Sequence, residues 1–236
     1  MLDVRCSSSP QTWLLLQSGP GPAAFNMAFD EALLEAAARL GKPVLRFYGW
    51  TEPAASFGYF QKHDEIAQLT LLRPLIRRPT GGGLVPHDGD WTYSLVFPPG
   101  HRWHAFCATE SYQRVHEWVR GAFAELNVTT ELSARCRKEL PGQCFVGAEQ
   151  SDVLWHGKKI AGAAQRRNRL GLLIQGSVQP PPLSLAKADW LKVMCDVAVE
   201  KGNVNWSPFE PDTTLNRRAE ELARVKYSLA SYNQKR

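Results

Sequence analysis

The segment Arg77-Arg78-Pro79-Thr80-Gly81-Gly82-Gly83-Leu84-Val85-Pro86-His87-Asp88 holds the densest chemical potential on the chain. One glycine satisfies an ordinary turn and each further one costs backbone entropy, so three in a row point to a backbone that something approaches closely. Exposed N–H groups beside a guanidinium fork suit a carboxylate, a thioester or a phosphate. Arg78, with the backbone of Gly81, Gly82 and Gly83, is therefore the candidate headgroup site. The plainer alternative is a strand connection with a wide bulge. No Lys-Ser or Lys-Thr follows the glycines, so this is not a nucleotide P-loop. His87, beside Asp88, reads as a wall of the site and not as a general base.

The elements that must position these residues follow from length and pattern. The 236 residues, 44% hydrophobic and 22% charged, exclude a disordered or fibrous chain and suit one domain over 1–236. Residues 1–10 read as a frayed lead-in and Trp13–Gln17 as a first strand, followed by a turn at Ser18–Pro22. Phe25, Phe29, Ala32, Leu33, Ala36 and Leu40 recur at helical spacing, which predicts an amphipathic helix over Ala24–Leu40 stopped by Gly41 and Pro43. Val44–Tyr48, Ala54–Gly58 and Trp91–Phe97 read as strands, and the glycines join two strands. A second long helix spans Cys107–Leu126. Arg135–Glu149 has no periodicity and reads as a loop. Ser151–Ile160 and Leu170–Val178 read as a hairpin around Gly157 and the Ala-Gly-Ala segment, and 183–236 as a charged, mostly helical C-terminal part. The expected class is α+β, a mixed sheet packed with helices.

Five cysteines at irregular spacing argue for free thiols and a reducing, cytoplasmic setting. No run is long and apolar enough to span a bilayer. With no CxxC pair, metal ligands are lacking; His101 and His104 read as a solvated loop. The net charge of +5 suits an acidic partner, but the basic residues are scattered. Lys158-Lys159 and Arg166-Arg167-Arg169 read as a strand-turn-strand edge, so neither a nucleic-acid arm nor a membrane surface is expected.

Several motifs in order carry a resemblance. Asn26-Met27-Ala28-Phe29-Asp30-Glu31, Arg46-Phe47-Tyr48-Gly49-Trp50, Ser56-Phe57-Gly58-Tyr59-Phe60-Gln61, the glycine segment, and Ser151-Asp152-Val153-Leu154 running into Gly157–Arg167 together resemble the lipoate–protein ligase and octanoyltransferase family. That family shares its fold with the biotin protein ligases, a class II synthetase-like architecture. The resemblance implies an enzyme that places an octanoyl or lipoyl group on a lysine of a lipoyl-carrier domain, either glycine cleavage H protein or a 2-oxoacid dehydrogenase E2. It also implies a substrate pocket that includes Arg78, Gly81, Gly82, Gly83, His87, Gly162 and Ala163.

Two chemistries compete within the family. Ligases make an acyl-adenylate from ATP with Mg; transferases take the acyl group from acyl carrier protein through a cysteine and need no cofactor. Ligases of this kind follow the glycines with Gly-Asn-x-Asn, where this chain has Gly89-Asp90-Trp91-Thr92. They also use an accessory domain, whereas this chain ends soon after the catalytic fold. Cys144 lies 15 positions before Lys159, a separation that resembles nucleophile and lysine in the cysteine-dependent octanoyltransferases. A nearby ammonium lowers a thiol's pKa, so Cys144 and Lys159 form a workable catalytic pair. The expectation is a transferase acting through a Cys144 thioester. The alternatives are an ATP-dependent lipoate ligase and a non-catalytic lipoyl-domain or biotin-type binding module. Two departures stand beside the match: Val146-Gly147-Ala148-Glu149, directly after Cys144-Phe145, holds no proline, and Gln175 precedes Gly176-Ser177 where a histidine is expected.

Overall fold

The computed structural model describes residues 9–136 and 147–235. In chain order its elements are β1 (Gln11–Gly21), α1 (Ala23–Leu40), β2 (Val44–Trp50), β3 (Ala54–Phe57), α2 (His63–Ala67), β4 (Leu75–Arg77), β5 (Val85–His87) and β6 (Trp91–Phe97). Then come α3 (Arg102–Ala105), α4 (Ala108–Glu125), β7 (Glu131–Leu132), β8 (Val153–Trp155), β9 (Lys158–Asn168) and β10 (Gly171–Val178). The chain continues through α5 (Lys187–Gly202), β11 (Val204–Pro208), α6 (Thr213–Leu222), one π-helical turn and α7 (Ala230–Asn233).

Why the central strands read as near-continuous apolar runs is plain from the layers. The large mixed sheet runs β11-β1-β2-β6-β10-β9-β8-β7, and the small one β4-β3-β5. On one face of the large sheet, Val115, Trp118, Val119 and Phe123 of α4 and Trp190, Met194 and Val197 of α5 pack with Trp13, Phe47, Tyr93 and Phe97. On the other face, Met27, Phe29, Leu33 and Leu34 of α1 and Leu215, Ala219 and Leu222 of α6 pack with Val44, Val96 and Leu173. Every residue of β6 and β10 is buried because both faces are covered. This is the expected α+β class. The predicted α1 appears one residue longer than expected and stops at Gly41, whose φ of 64° needs no Cβ.

Four expectations need correction. Ser18–Gly21 is not a turn: β1 continues through it beside β2, with a register shift between Gln17 and Gly19 that uses Gly19's positive φ as a bulge. The hairpin bend at Gly157 joins β8 to β9, and Ala-Gly-Ala lies inside β9, with Gly162 opposite Ser177 of β10. Lys158, Lys159, Arg166 and Arg167 therefore share one strand, and only Arg169 falls in a turn. The C-terminal part also supplies β11, which pairs parallel with β1. His101 and His104 are not a solvated loop. His101 caps α3, accepts from the Trp103 N–H and stacks on Phe97 at 5.2 Å. Burial, helped by the Arg102 charge, pushes its pKa down to about 4. His104 Nε2 lies 2.9 Å from the Asn168 carbonyl oxygen.

Candidate functional site

A pocket of about 450 Å³ opens where β9 and β10 face the small sheet, and Arg78, His87, Lys159, Gly162 and Ala163 all line it. Three segments far apart in sequence meet here because β5 pairs with β3 while β9 and β10 run alongside in the large sheet.

Lys159 stands at the second position of β9, its side chain 6% exposed and its Nζ 2.7 Å from Asp152 Oδ2, itself 5% exposed. Burial raises the Asp152 pKa, while the Lys159 charge and hydrogen bond oppose that rise. The Glu149 N–H donates to Asp152 Oδ2 at 2.6 Å. Beneath the pair, burial holds His116 down to about 3, so it stays neutral beside the ammonium. Gly162 explains the small-residue run inside β9. A Cβ there would stand 2.6 Å from Lys159 Cε, 2.7 Å from Nζ and 3.1 Å from Asp152 Oδ1. Gly162→Ala should therefore displace the ammonium and lower turnover by about 10²-fold or more, with Tm changing by only a few degrees. Unchanged kinetics would show that the lysine tip moves aside at no cost to function.

Arg78 is 4% exposed and braces the glycine loop. Its Nε and Nη2 donate to the Gly81 carbonyl oxygen at 3.0 and 2.5 Å, and Nη1 reaches the Ser56 carbonyl oxygen and Oγ at 3.3 Å each. Gly81, Gly82 and Gly83 are not among the pocket-lining residues. The close backbone approach they signal comes from the chain itself, because a Cβ on Gly58 would overlap the Gly82 carbonyl. Gly82 also sits at φ 83°. At that positive φ, Gly82→Val should cost at least about 1–2 kcal/mol of stability, read as a lower denaturation midpoint. Gly81→Ala is the gentler probe, since a Cβ there meets nothing within 4 Å.

Behind the pocket lies a buried polar network centred on Asp30 and Gln175. Asp30 of α1 accepts from Arg46 Nη1 and Ser94 Oγ, both at 2.7 Å, and from Gln175 Nε2 at 2.7 Å and the Tyr48 hydroxyl at 3.1 Å. Gln175 Oε1 accepts from Thr80 Oγ1 at 2.8 Å. Gln175 thus ties the glycine loop to a buried ion pair, which accounts for a neutral residue at the departure noted above. His87 Nδ1 lies 2.9 Å from Asp90 Oδ2, and the histidine is 4% exposed with its ring stacked on Trp50 at 3.8 Å.

Cys144 and Phe145 lie outside the described residues, as do most of the expected loop Arg135–Glu149 and residues 1–8. Of the other cysteines, Cys107 and Cys136 are exposed, and burial pushes the Cys195 thiol up to about 12.

The family model of the lipoyl protein ligase A/B catalytic domain matches residues 22–179. The chain belongs to that family. The match takes in Arg78, His87, the Asp152–Lys159 pair and Cys144. The octanoyltransferase LipM of Geobacillus kaustophilus is 36% identical over 182 residues, covering 71% of this chain and 65% of that one. The LipM of Kyrpidia tusciae is 38% identical over 181 residues, covering 71% and 66%. The chain thus spans slightly less than two thirds of the length of these curated relatives. Among solved structures, protein Ta0514 of T. acidophilum with bound lipoic acid superposes with a TM-score of 0.79 at 21% identity, covering 97% of this chain and all of that one. A bipartite lipoate protein ligase from Thermoplasma acidophilum, described with its E2 lipoyl domain, gives 0.72 at 21%, covering 96% and 97%. The fold is that of the lipoate protein ligases.

Proposed function

We propose that this chain transfers an octanoyl or lipoyl group from the thioester of acyl carrier protein to a lysine of a lipoyl-carrier domain, H protein or E2, with Cys144 as covalent relay. The observation that carries this reading is Lys159, buried against Asp152 and kept at the pocket wall by the space over Gly162. An ammonium held there favours the thiolate of a cysteine brought beside it and then faces the negative charge of the tetrahedral centre. Similarity to octanoyltransferases supports the same chemistry.

The ATP-dependent ligase is the second reading, and Asp90 weighs against it. This residue stands where ligases of this kind carry asparagine for nucleotide and metal. Its side chain is shut from solvent, and its Oδ2 is committed to His87, Thr92 and Ser177. The transferase reading needs no cofactor.

Free thiols at Cys107 and Cys195 fit a reducing cytoplasm. Among the described residues no helix is long and apolar enough to cross a membrane. Incubation with octanoyl carrier protein and an apo lipoyl domain without ATP should acylate the domain. Acylation that requires ATP and free acid would replace this reading by the ligase.

A further inference from the structure

The pocket wall carries a second buried chain of polar groups that the lysine pair leaves unused. Ser56 of β3, His87 of β5 and Asp90, just ahead of β6, are 3%, 4% and 6% exposed. Ser56 Oγ lies 2.8 Å from His87 Nε2, and His87 Nδ1 lies 2.9 Å from Asp90 Oδ2. An ionised carboxylate only accepts, so Nδ1 carries the hydrogen and Nε2 is left to accept from the Ser56 hydroxyl. The partners hold this tautomer in place. Asp90 Oδ2 also receives the hydroxyls of Thr92 and Ser177 at 2.9 and 2.7 Å, which stops the carboxylate from turning. The imidazole lies flat on Trp50 at 19°, and Trp50 Nε1 is itself anchored on Thr92 Oγ1 at 2.8 Å.

Hydroxyl, imidazole and carboxylate in that order form the geometry that moves protons in unrelated hydrolases. Ser56 and His87 line the same pocket as Lys159. Lys159 Nζ is held on Asp152 Oδ2 at 2.7 Å, on the β8–β9 side of the site. His87 therefore differs from the inert wall that the sequence suggests.

We propose that Ser56, His87 and Asp90 are a proton relay for acyl transfer, taking the proton of the attacking amine and returning it to the departing carrier thiol. The proposal rests on the transferase reading. In the acceptor half, the free lysine amine of the lipoyl domain attacks the acyl-enzyme carbonyl. The C–N bond forms, the C–S bond breaks, and the enzyme thiolate leaves with the electron pair. The amine's proton passes to Ser56 Oγ as the serine's own proton passes to His87 Nε2, giving an imidazolium beside Asp90. In the donor half, the enzyme thiolate attacks the carrier thioester. The leaving carrier thiolate takes a proton from Ser56, and the imidazolium left on His87 by the preceding acceptor half replaces it through Nε2. The two halves sum to thioester plus amine giving amide plus thiol.

The test measures single turnovers of enzyme loaded with octanoyl carrier protein and then discharged by either of two nucleophiles. One is the lipoyl-domain lysine, and the other is hydroxylamine, which enters as a free base and needs little help. Ser56→Ala keeps Arg78 tied to the Ser56 carbonyl and to Gly81, so the pocket should stand. Discharge to lysine should fall about 10²–10⁴-fold, with less than a tenfold change for hydroxylamine and an unchanged KM for the lipoyl domain. His87→Ala should show the same split, and added imidazole should restore part of the lysine rate. Equal losses for both nucleophiles, or no loss for either, would overturn the relay. So would an octanoyl ester found on Ser56 itself. Failure of wild-type enzyme to load at all would overturn the transferase reading and the relay with it.

Discussion

Replacing Lys159 by methionine should cost both stability and turnover, and the two losses should separate when a second substitution is added. Methionine keeps an unbranched apolar stem over Gly162 and deletes the ammonium. That strands the Asp152 carboxylate, which is 5% exposed, without its cation. Removing one partner of a buried pair typically destabilises by about 3–5 kcal/mol, because the remaining charge is left uncompensated. Burial already raises the Asp152 pKa and Lys159 opposes the rise, so the carboxyl should climb further in the single variant. Adding Asp152→Asn removes the stranded charge and should return most of the lost denaturation midpoint. Turnover should stay about 10²–10⁴-fold below wild type, since the charge that favours the thiolate is still missing. A double variant that regains activity would make Lys159 a structural ion.

Cys144→Ser should lose still more turnover. A serine hydroxyl near a lysine remains protonated at neutral pH and is a far weaker nucleophile than a thiolate. The drop should exceed the roughly 10²–10⁴-fold typical of losing one positioned acid or base. Cys136→Ser is the control. Its side chain is exposed and outside the pocket, so the change should be nearly silent. Full activity in Cys144→Ser would remove the covalent step and leave direct transfer or the adenylate route.

Periodic and apolar patterns carried most of the architecture into the sequence. α1 and β6 show this best: a stripe at helical spacing and a run covered on both faces. What was illegible depended on tertiary partners. Ala161-Gly162-Ala163 looks like a turn, yet it is a strand in which Gly162 leaves room for the Lys159 side chain folding back over it. β11 is a five-residue stretch that becomes a strand only because β1 offers it an unpaired edge. Gly58 gives no local sign that it is pressed against Gly82. At the site, Arg78, His87 and Lys159 were readable by residue type and motif. Ser56 and Asp90 were not, because a serine 31 positions from a histidine becomes its partner only when β3 pairs with β5.

Intact-mass analysis of the enzyme mixed with octanoyl carrier protein in the absence of ATP bears on the transfer mechanism at its root. Wild-type protein should gain one octanoyl mass, hydroxylamine should remove it as expected for a thioester, and Cys144→Ser should gain nothing. An enzyme that takes no mass from the carrier, yet forms an acyl-adenylate from ATP and free octanoate and passes it to a lipoyl domain, would contradict transfer through Cys144.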